Sequence, residues 1–457
     1  MKVGRDRWIV SPGQPAVESK LAEELSISPL AARILVQRGC STPAEAERFL
    51  QPRLKDLSDP FLLGPLREAV ERIWKAIDRR ERITIYGDYD VDGVTSAALL
   101  VRVLRTFGAE VLYFLPRRMD EGYGLSADGI ERCLVETRPR LLIAVDCGTT
   151  SREEIAALKG QGVEVIVLDH HQAPAELPDC LLINPKIVGQ PATQNLATVG
   201  VVFKVCHGFL KSGRERGRAA AQSFDLREHL DLAAIGTVAD VVPLDGENRT
   251  FVRAGLGQLG KTTKVGLRAL KQVARVSSSP TPYHIGFQLG PRLNAMGRLD
   301  DALASLELLL TEDAARAEEL ARLLDRCNQE RQEIEQRAVE EALEMLGAFD
   351  PARHVIVLAK AGWHLGVIGI VAARIVREFH RPTVVIGFDG EGMGKGSCRS
   401  IEGFHLVEGL KRCESLLERY GGHQAAAGLS IQAGQIEAFQ KQLELVIPGL
   451  QLRLLFR

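Results

Sequence analysis

The sequence predicts an α/β protein with a parallel sheet in a large domain and a smaller α/β domain joined to it by a long helix. Between Arg82 and Asp169, apolar β-branched runs of strand length alternate with segments of helical spacing. This alternation is typical of βαβ units on a buried parallel sheet. Residues 311–346 form one charged helical pattern without Gly or Pro. After Pro351 the alternation of strands and helices starts again, which predicts the second domain.

These observations divide the chain into four parts. Residues 1–60 carry short helical patterns and are predicted to be an N-terminal extension. Residues 61–310 form the predicted large domain, with the strands RITIYG, AEVLYFLP, LLIAVD and VEVIVLD. Residues 311–348 form the connecting helix. Residues 349–457 form the second domain, in which the runs HVIVLA and PTVVIGF flank the helical pattern LGVIGIVAARIVREF.

Composition excludes several classes of protein. The 457 residues are enough for more than one core, and 26% charged with 45% hydrophobic residues is ordinary globular usage. Because 58 Lys and Arg balance 59 Asp and Glu, a uniformly basic nucleic-acid binder is excluded. The eight cysteines form no C-x-x-C pair, which favours a reducing compartment. With neither a signal peptide nor an apolar span in the sequence, we expect a cytoplasmic protein without a membrane partner.

An acidic loop follows the first predicted strand. Asp88, Asp90 and Asp92 stand at alternate positions, and carboxylates this close repel one another unless a cation lies between them. The letters D-x-D-x-D-G also open an EF-hand calcium loop. However, the twelfth position is Leu99 instead of the required Glu, and a strand precedes the loop. We therefore interpret the segment as a metal-binding loop of another kind.

Three further acidic sites interrupt apolar runs. Asp146 ends LLIAVD, the triplet of Asp169, His170 and His171 follows VEVIVL, and Asp240 ends LAAIGTVAD. A single Asp here would be explained by a helix N-cap, and a single His by a core position. Several such sites at the carboxyl ends of parallel strands instead predict a ligand site. Carboxylates with imidazole suit Mn²⁺ or Mg²⁺, and their number predicts two ions that support phosphoester hydrolysis.

The motifs together resemble a known family. YGDYDVDG, AVDCG, VLDHH and TVADVVPL are similar to the DHH phosphoesterase superfamily. EGYGLS, GPRLNAMGRL, GWHLGVIGIVAARI, GKGSCRS and GGHQAAAGLSI look like its RecJ branch, the single-strand-specific 5′ to 3′ DNA exonucleases. The resemblance covers residues from about 40 to 440 and implies a DHH domain followed by a DHH-associated domain.

The resemblance also implies roles for individual residues of the metal centre. His171 would face the scissile phosphate, and Asp169 would orient a ligand histidine through its other ring nitrogen. Asp146 would bridge the two Mn²⁺ or Mg²⁺ ions. The implied metal ligands are Asp88, Asp90, Asp92, Asp146, His170 and Asp240.

Substrate contacts are implied in both domains. In the second domain, Ser397 and Arg399 would hold backbone phosphates, with His423 near the reaction site, and glycines 392, 394 and 396 would let backbone N–H groups approach an anion. Taken alone, this segment is equally well explained as a glycine-rich turn. The further candidates, for which solvated turn residues are the alternative, are Arg118, Arg292, Asn294 and Arg298.

The sequence thus predicts a metal-dependent exonuclease that degrades single-stranded DNA 5′ to 3′ to mononucleotides in DNA repair and recombination. Candidate partners are a single-strand binding protein and a helicase. The alternatives are an oligoribonuclease or cyclic-dinucleotide phosphodiesterase of the same superfamily, or a non-catalytic replication scaffold. Two features depart from expectation for a strand-binding enzyme: the chain is predicted to lack the C-terminal OB-fold of RecJ enzymes, and 5% aromatic residues predict no obvious stacking platform.

Overall fold

The computed structural model describes residues 12–117, 121, 124–389 and 392–449. Two compact units divide the chain, one up to Cys327 and the other from Asn328 onward. The division falls inside the long helix Ala314–Leu346. The four boundaries derived from the sequence stay predictions. Across the described ranges, every helix is too short or too polar to cross a membrane.

The first unit begins with three short helices: α1 (Pro15–Leu25), α2 (Pro29–Gln37) and α3 (Pro43–Leu50). Each has Pro in its first turn, where the missing N–H costs no hydrogen bond. Thr42 and Glu45 form a reciprocal capping box at the start of α3. The helices share a small apolar core of their own.

A five-stranded parallel sheet is the centre of the first unit. Its strands are β1 (Ile83–Gly87), β2 (Val111–Phe114), β3 (Leu141–Val145), β4 (Glu164–Leu168) and β5 (Leu181–Ile183), in the order β2-β1-β3-β4-β5. Both faces are covered: Ile143 packs in the larger core and its neighbour Leu142 in the smaller core opposite. Burial on both faces explains why the strands read as continuous apolar runs. The predicted α/β fold with a parallel sheet is confirmed.

The helices of the first unit lie on both faces of this sheet. The α5 helix packs against α9 and α11 in the larger core, whereas α6 and α7 cover the opposite face. A π-helical turn, Ile285–Leu289, connects α14 to α15. The bounds are α4 (Leu66–Asp78), α5 (Val91–Thr106), α6 (Ala127–Thr137), α7 (Arg152–Gly160), α8 (Pro185–Val188), α9 (Thr198–Glu215), α10 (Ala219–Ser223), α11 (Leu230–Ala239), α12 (Gly246–Gly260), α13 (Val265–Val273), α14 (Pro282–His284), α15 (Gly290–Leu299) and α16 (Leu303–Leu310).

The second unit is built on a mixed sheet. Its β6 and β7 are parallel, and the other neighbours are antiparallel, in the order β6-β7-β8-β10-β9. The long helix α17 and helix α18 share one core, and α19 and α20 share the other. The bounds are α17 (Ala314–Leu346), β6 (Ile356–Ala359), α18 (Ile368–Phe379), β7 (Thr383–Phe388), β8 (Met393–Arg399), α19 (Leu406–Lys411), β9 (Arg419–Gly422), β10 (Ala426–Gln432) and α20 (Ile436–Gly449).

Candidate metal centre

One edge of the parallel sheet carries Asp88, Asp146 and Asp169 because its register aligns the strand ends. Asp240 was grouped with them in the sequence, but it follows the helix α11 and not a strand. Asp88 donates its backbone N–H to Val145 (3.2 Å), Asp146 to Leu168 (3.0 Å), and Asp169 to Ile183 (3.1 Å). Each Asp therefore continues the hydrogen-bond pattern of the sheet by one residue beyond its own strand. Carboxyl ends of parallel strands are where ligands bind in α/β sheets.

The loop between β1 and α5 is closed by tight local contacts. The Oδ1 of Asp90 accepts a hydrogen bond from the backbone N–H of Gly93 (3.0 Å) and caps α5. A Cβ on Gly93 would lie 2.5 Å from the backbone oxygen of Asp88, so only glycine fits there. The turn thus keeps the side chains of Asp88, Asp90 and Asp92 close to one another.

Asp92 is buried against the start of α9. Its two carboxylate oxygens accept hydrogen bonds from the backbone N–H groups of Thr198 (2.6 Å) and Val199 (2.8 Å). These donors have no partner within their own helix, and the positive end of the helix stabilises an anion. Burial nevertheless raises the pKa of Asp92 well above its ordinary value, and the charges of Asp240 and Asp90 raise it further.

Asp146 has an unusual backbone conformation. Its φ of +66° lies in the left-handed region, which Asp tolerates better than most residues. The Oδ1 accepts a hydrogen bond from the Thr198 hydroxyl (2.8 Å) and lies 3.6 Å from Nε2 of His170. Burial, followed by the charges of Asp90 and Asp92, raises the pKa of Asp146 well above its usual range. A cation beside Asp146 would relieve this repulsion.

Asp169 holds His171. Its Oδ1 lies 2.7 Å from Nδ1 of His171 and also accepts the backbone N–H of His170 (2.7 Å), while Oδ2 accepts that of Thr149 (3.0 Å). Burial alone would raise the pKa of Asp169, but the His171 hydrogen bond and charge bring it below the usual range. Burial would likewise lower the pKa of His171, but the Asp169 hydrogen bond and charge raise it. Each group of the pair therefore favours the charged form of the other.

This pairing corrects one sequence prediction. Asp169 was expected to orient a ligand histidine, assigned as His170, but its side-chain partner is the other histidine, His171. The reason is local geometry, since the His170 ring turns toward the acidic loops, where Nε2 lies 3.4 Å from Oδ2 of Asp240. The two imidazoles thus have different surroundings.

His170 and Asp240 give the clearest indication of a cation. Burial, with the charge of His171, lowers the pKa of His170 to about 3, so its imidazole is neutral. Burial and the charge of Asp90 raise the pKa of Asp240 to about 7. Within the described residues, Nε2 of His170 and Oδ2 of Asp240 are buried without a hydrogen-bond partner. Buried polar atoms without partners are costly, and a shared metal ion would satisfy both.

Three overlapping groups of side chains bring their ligand atoms within 4.8 Å of one another. Asp146 and His170 each belong to two groups, so the groups form one continuous centre. Carboxylates with one or two imidazoles fit Mn²⁺ or Mg²⁺, and shared members suit a pair of ions. The groups are Asp88, Asp90 and Asp146; Asp92, His170 and Asp240; and Asp146, His170 and His171.

The structure identifies supporting residues that the sequence did not reveal. Thr198 contacts both Asp92 and Asp146. Asn184 donates to the carbonyl of His171 (2.9 Å) and the hydroxyl of Thr149 (3.0 Å). Neither residue stands in an acidic motif, and the only signal is a polar residue at the start of a helix, as in INPK and LATVGVV.

The predicted substrate residues of the first unit lie mostly on α15, which is a helix instead of a turn. Asn294 accepts the backbone N–H of Val91 (3.1 Å), so its side chain supports the acidic loop. Arg292 donates to Asp325 (2.8 Å) and to the carbonyl of Gln288 (2.7 Å). Arg298 lies half-buried in the last turn. Arg118 lies outside the described residues.

In the second unit, the structure corrects the role predicted for the glycines 392, 394 and 396. The strand β8 pairs with both β7 and β10, so the ladders use the backbone groups of Gly394 and Gly396. The N–H of Gly392 donates to Asp389 (3.1 Å). The prediction that backbone N–H groups of this segment bind an anion is therefore wrong. Here the small residues instead allow close packing, as a Cβ on Gly394 would lie 3.0 Å from Ile386.

Ser397 and Arg399 nevertheless lie together on β8. Nη1 of Arg399 donates to the hydroxyl of Ser397 (3.2 Å) and to the carbonyl of Cys398 (2.8 Å). A Cβ on Gly369 in α18 would lie 2.9 Å from the Ser397 hydroxyl, so the helix can approach closely. His423 is exposed in the turn between β9 and β10.

Two family models match the chain: the "DHH family, N-terminal domain" over residues 82–237 and the "DHHA1 domain" over residues 352–448. The "Single-stranded-DNA-specific exonuclease RecJ" of Bacillus subtilis is 41% identical over 97% of this chain, which spans 55% of that protein. The protein of the same name from Dickeya dadantii is 39% identical, over 94% of this chain and 76% of the relative.

Solved structures agree with these matches. A crystal structure of exonuclease RecJ bound to manganese has a TM-score of 0.74 and 37% identity, covering 84% of this chain and 95% of the other. RecJ from Thermus thermophilus in complex with Mn²⁺ has a TM-score of 0.83 and 34% identity, covering 96% of this chain and 62% of the other. The similarity thus extends over both units.

Proposed function

The chain belongs to the RecJ family, and on that premise we propose that it is a metal-dependent exonuclease that degrades single-stranded DNA from the 5′ end to mononucleotides. The observation that carries the proposal is the centre of three overlapping ligand groups. His170 and Asp240 direct into it buried atoms that have no hydrogen-bond partner among the described residues. Such a centre suits phosphoester hydrolysis. The known structures of relatives that contain Mn²⁺ or Mg²⁺ support the choice of metal.

The donor set fits two divalent cations. When bound, Mn²⁺ or Mg²⁺ would activate water and stabilise charge on the phosphoryl oxygens. We propose that the ligands are Asp88, Asp90, Asp92, Asp146, His170 and Asp240. Thr198 would keep the Asp92 and Asp146 carboxylates in place through its backbone N–H and its hydroxyl.

We assign His171 to the substrate phosphate. Its ring is fixed by Asp169, and the hydrogen bond between them favours the charged imidazolium. A charged imidazole donates strong hydrogen bonds to phosphate oxygens and can pass a proton to a leaving oxygen. Asp169 is then a positioning residue for His171, and burial of its own carboxylate strengthens the hydrogen bond.

The remaining assignments are also proposals. Arg298 in the first unit would hold a backbone phosphate, and so would Ser397, Arg399 and His423 in the second unit. Arg292 and Asn294 would support α15 and the acidic loop. An exonuclease for single strands needs unpaired DNA, so a helicase and a single-strand binding protein are suitable partners in repair and recombination. Such work would take place in the cytoplasm.

The test uses single-stranded DNA labelled at the 5′ end, the same strand labelled at the 3′ end, a blunt duplex and short RNA. We expect early release of labelled mononucleotide from the 5′-labelled strand with Mn²⁺ or Mg²⁺, and none with chelator. The duplex should resist. Early release from the 3′ end alone would contradict the polarity. Much faster cleavage of RNA would favour an oligoribonuclease, and no cleavage of any substrate would favour a scaffold.

A further inference from the structure

We propose that Tyr283 and Phe287, here called the aromatic platform, stack against unpaired bases of the DNA strand. The inference rests on the proposed function, because it concerns the same substrate. The low aromatic content predicted no obvious stacking platform, but the structure brings two aromatic side chains together at the surface. Aromatic faces bind successive bases of any sequence, which suits a nuclease that must accept every strand.

The two rings form an exposed stacked pair. Their centroids lie 4.9 Å apart with planes inclined by 29°, and Tyr283 is 61% and Phe287 70% exposed. No other Phe, Tyr or Trp in the described part of the chain is comparably exposed. Large aromatic side chains contribute most when they are buried, so an adjacent exposed pair indicates a surface that binds something apolar and flat.

The backbone conformation of this segment directs the two rings toward solvent. The π-helical turn Ile285–Leu289 buries Ile285 and Leu289, so Phe287 between them points to solvent. Before the turn, the Thr281 hydroxyl lies 2.8 Å from Nδ1 of His284 and fixes the start of α14. Turns of this type are rare and are frequent at functional sites. The platform is thus a fixed feature of the fold and does not depend on a loose loop.

The helix that follows the platform contacts two segments of the metal centre. The α15 helix begins at Gly290, where a Cβ would lie 3.6 Å from the Cβ of Ala239, the residue before Asp240. One turn further along, Asn294 accepts the N–H of Val91 in the acidic loop. The segment that carries the aromatic platform therefore contacts two metal-binding segments. A strand held on it would have its neighbouring nucleotides near the reaction site.

A pocket of about 220 Å³ is lined in part by the residue that precedes the platform in the chain. Pro282, next to Tyr283 in the chain, forms one wall, and Arg249 and Arg253 also line the pocket. The other lining residues are apolar, namely Pro52, Leu244, Val252 and Leu256. Arg249 donates to the carbonyl of Phe49 and lies over its ring, and Arg253 donates to the carbonyl of Leu50. Each guanidinium has further N–H groups that can donate to a phosphate of a single strand. Arginine beside apolar surface favours a nucleic-acid strand over an apolar protein segment as the occupant.

The experiment measures binding of fluorescein-labelled single-stranded DNA, with Ca²⁺ replacing the catalytic ion. The Tyr283→Ala/Phe287→Ala double variant should bind about tenfold more weakly, since each lost stacking contact weakens binding several-fold. Strands with single 2-aminopurine bases report stacking directly, because a stacked base loses fluorescence. We expect quenching at one or two positions with the wild type and its loss with the double variant.

Three further variants separate stacking from other causes. Val135→Ala removes another side chain that is 70% exposed, on α6, and should bind like the wild type. Tyr283→Phe with Phe287→Tyr keeps both rings and should retain affinity and quenching. Phe287→Leu keeps the apolar surface without a ring and should lose part of both. Melting temperatures of all variants verify that they fold.

Each outcome is decisive for the platform. Unchanged affinity and quenching in the double alanine variant would overturn the proposal, and so would full affinity and quenching of Phe287→Leu, which would indicate general apolar contact. If the wild type hydrolyses single-stranded DNA while the variants bind normally, only the platform is wrong. If the wild type hydrolyses no DNA with Mn²⁺ or Mg²⁺, the proposed function is wrong.

Discussion

Asp146 combines a left-handed backbone with full burial, and both features have a cost. The carboxylate is surrounded by other acids, and a β-carbon at φ +66° is disfavoured for most residues. Local strain of this kind is retained where the surrounding structure requires the group in one place. Thr198 and His170 are the neighbours that define this place.

We therefore expect Asp146→Asn to separate stability from metal binding. Asn tolerates the left-handed backbone and removes one repelling charge, so the metal-free variant should melt higher than the metal-free wild type. Addition of Mn²⁺ should raise the melting temperature of the wild type but hardly that of the variant. Hydrolysis of single-stranded DNA should fall by at least about a hundredfold. Calorimetry with and without Mn²⁺ measures the first effect.

A matched control is Asp128→Asn, which removes an exposed carboxylate from the first turn of α6. Its melting temperature should rise with Mn²⁺ as that of the wild type does. A wild-type response to Mn²⁺ in Asp146→Asn would show that Asp146 is not a ligand.

The Asp169–His171 pair leads to a second prediction. Asp169→Asn replaces the carboxylate that holds the charged imidazole, so turnover should fall by about 10- to 100-fold. Because the proposed metal ligand is His170, whose Nε2 lies 3.4 Å from Oδ2 of Asp240, Mn²⁺ affinity should change less than turnover. Turnover at saturating DNA and a Mn²⁺ titration measure the two effects separately. A larger loss of Mn²⁺ affinity than of turnover would make His171 chiefly a metal ligand.

At the scale of elements, close packing of helices brings the acids together. Gly236 in α11 faces Asp92 and Thr95 of α5, and a Cβ there would lie 2.4 Å from the Thr95 hydroxyl and 2.9 Å from an Asp92 carboxylate oxygen. Both neighbours would have to move. Gly236→Ala should therefore destabilise the protein by about 1–3 kcal/mol and weaken Mn²⁺ binding.

The control for this substitution is Gly257→Ala in α12, where no atom of the described residues lies within 4 Å of the added Cβ. It should raise the free energy of unfolding by up to about 1 kcal/mol, as expected for Ala over Gly in a helix. Chemical denaturation of the metal-free proteins compares the two variants. Equal stability of both would show that α5 and α11 can separate without cost.

The same elements explain what could be predicted from the sequence. Strands β1, β3 and β4 are continuous apolar runs that end in Asp, so the sheet and the alignment of Asp88, Asp146 and Asp169 follow from pattern and register. The contacts of Thr198, and the choice of His171 as partner of Asp169, depend on helix packing and side-chain direction. The sequence pattern predicts neither the Thr198 contacts nor the pairing of Asp169 with His171.

The sequence did not predict the structure of the GKGSCRS segment or the aromatic platform, for a different reason. The glycines of β8 look like an anion-binding turn in the sequence, but only the pairing of both strand edges reveals that the ladders use their N–H groups. Tyr283 and Phe287 stand four residues apart, a spacing that is also typical of a core-facing helix. Their exposure depends on the π-helical turn, which has no reliable sequence pattern.

At the scale of the whole molecule, the buried residue His229, which belongs to none of the acidic motifs, affects the stability of the protein at low pH. Burial, together with the charges of Lys264 and Arg102, lowers the pKa of His229 to about 3. Within the described residues its Nδ1 is buried without a hydrogen-bond partner, and its ring stacks on Phe224. The folded protein therefore keeps this imidazole neutral, whereas the unfolded chain protonates it below about pH 6.5.

The sign of the effect follows from proton binding. Below about pH 6.5 the unfolded state binds one proton more than the folded state at this residue, so the contribution of His229 to stability decreases as the pH falls toward 3. The slope is about 1.4 kcal/mol for each pH unit in that range. His229→Gln should abolish this part of the pH dependence, and the difference in unfolding free energy from the wild type should shrink from about pH 7 to about pH 5.

Urea denaturation of the wild type and His229→Gln at several pH values measures this difference, with chelator present in all samples. The buried acids of the metal centre have raised pKa values, so protonation relieves their repulsion and gives the opposite slope in both proteins. Comparison of the two proteins removes that common part. The exposed His380→Gln serves as the control and should keep the slope of the wild type. Parallel curves for the wild type and His229→Gln would show that the folded protein admits the charged imidazole, and hence that water reaches this part of the core.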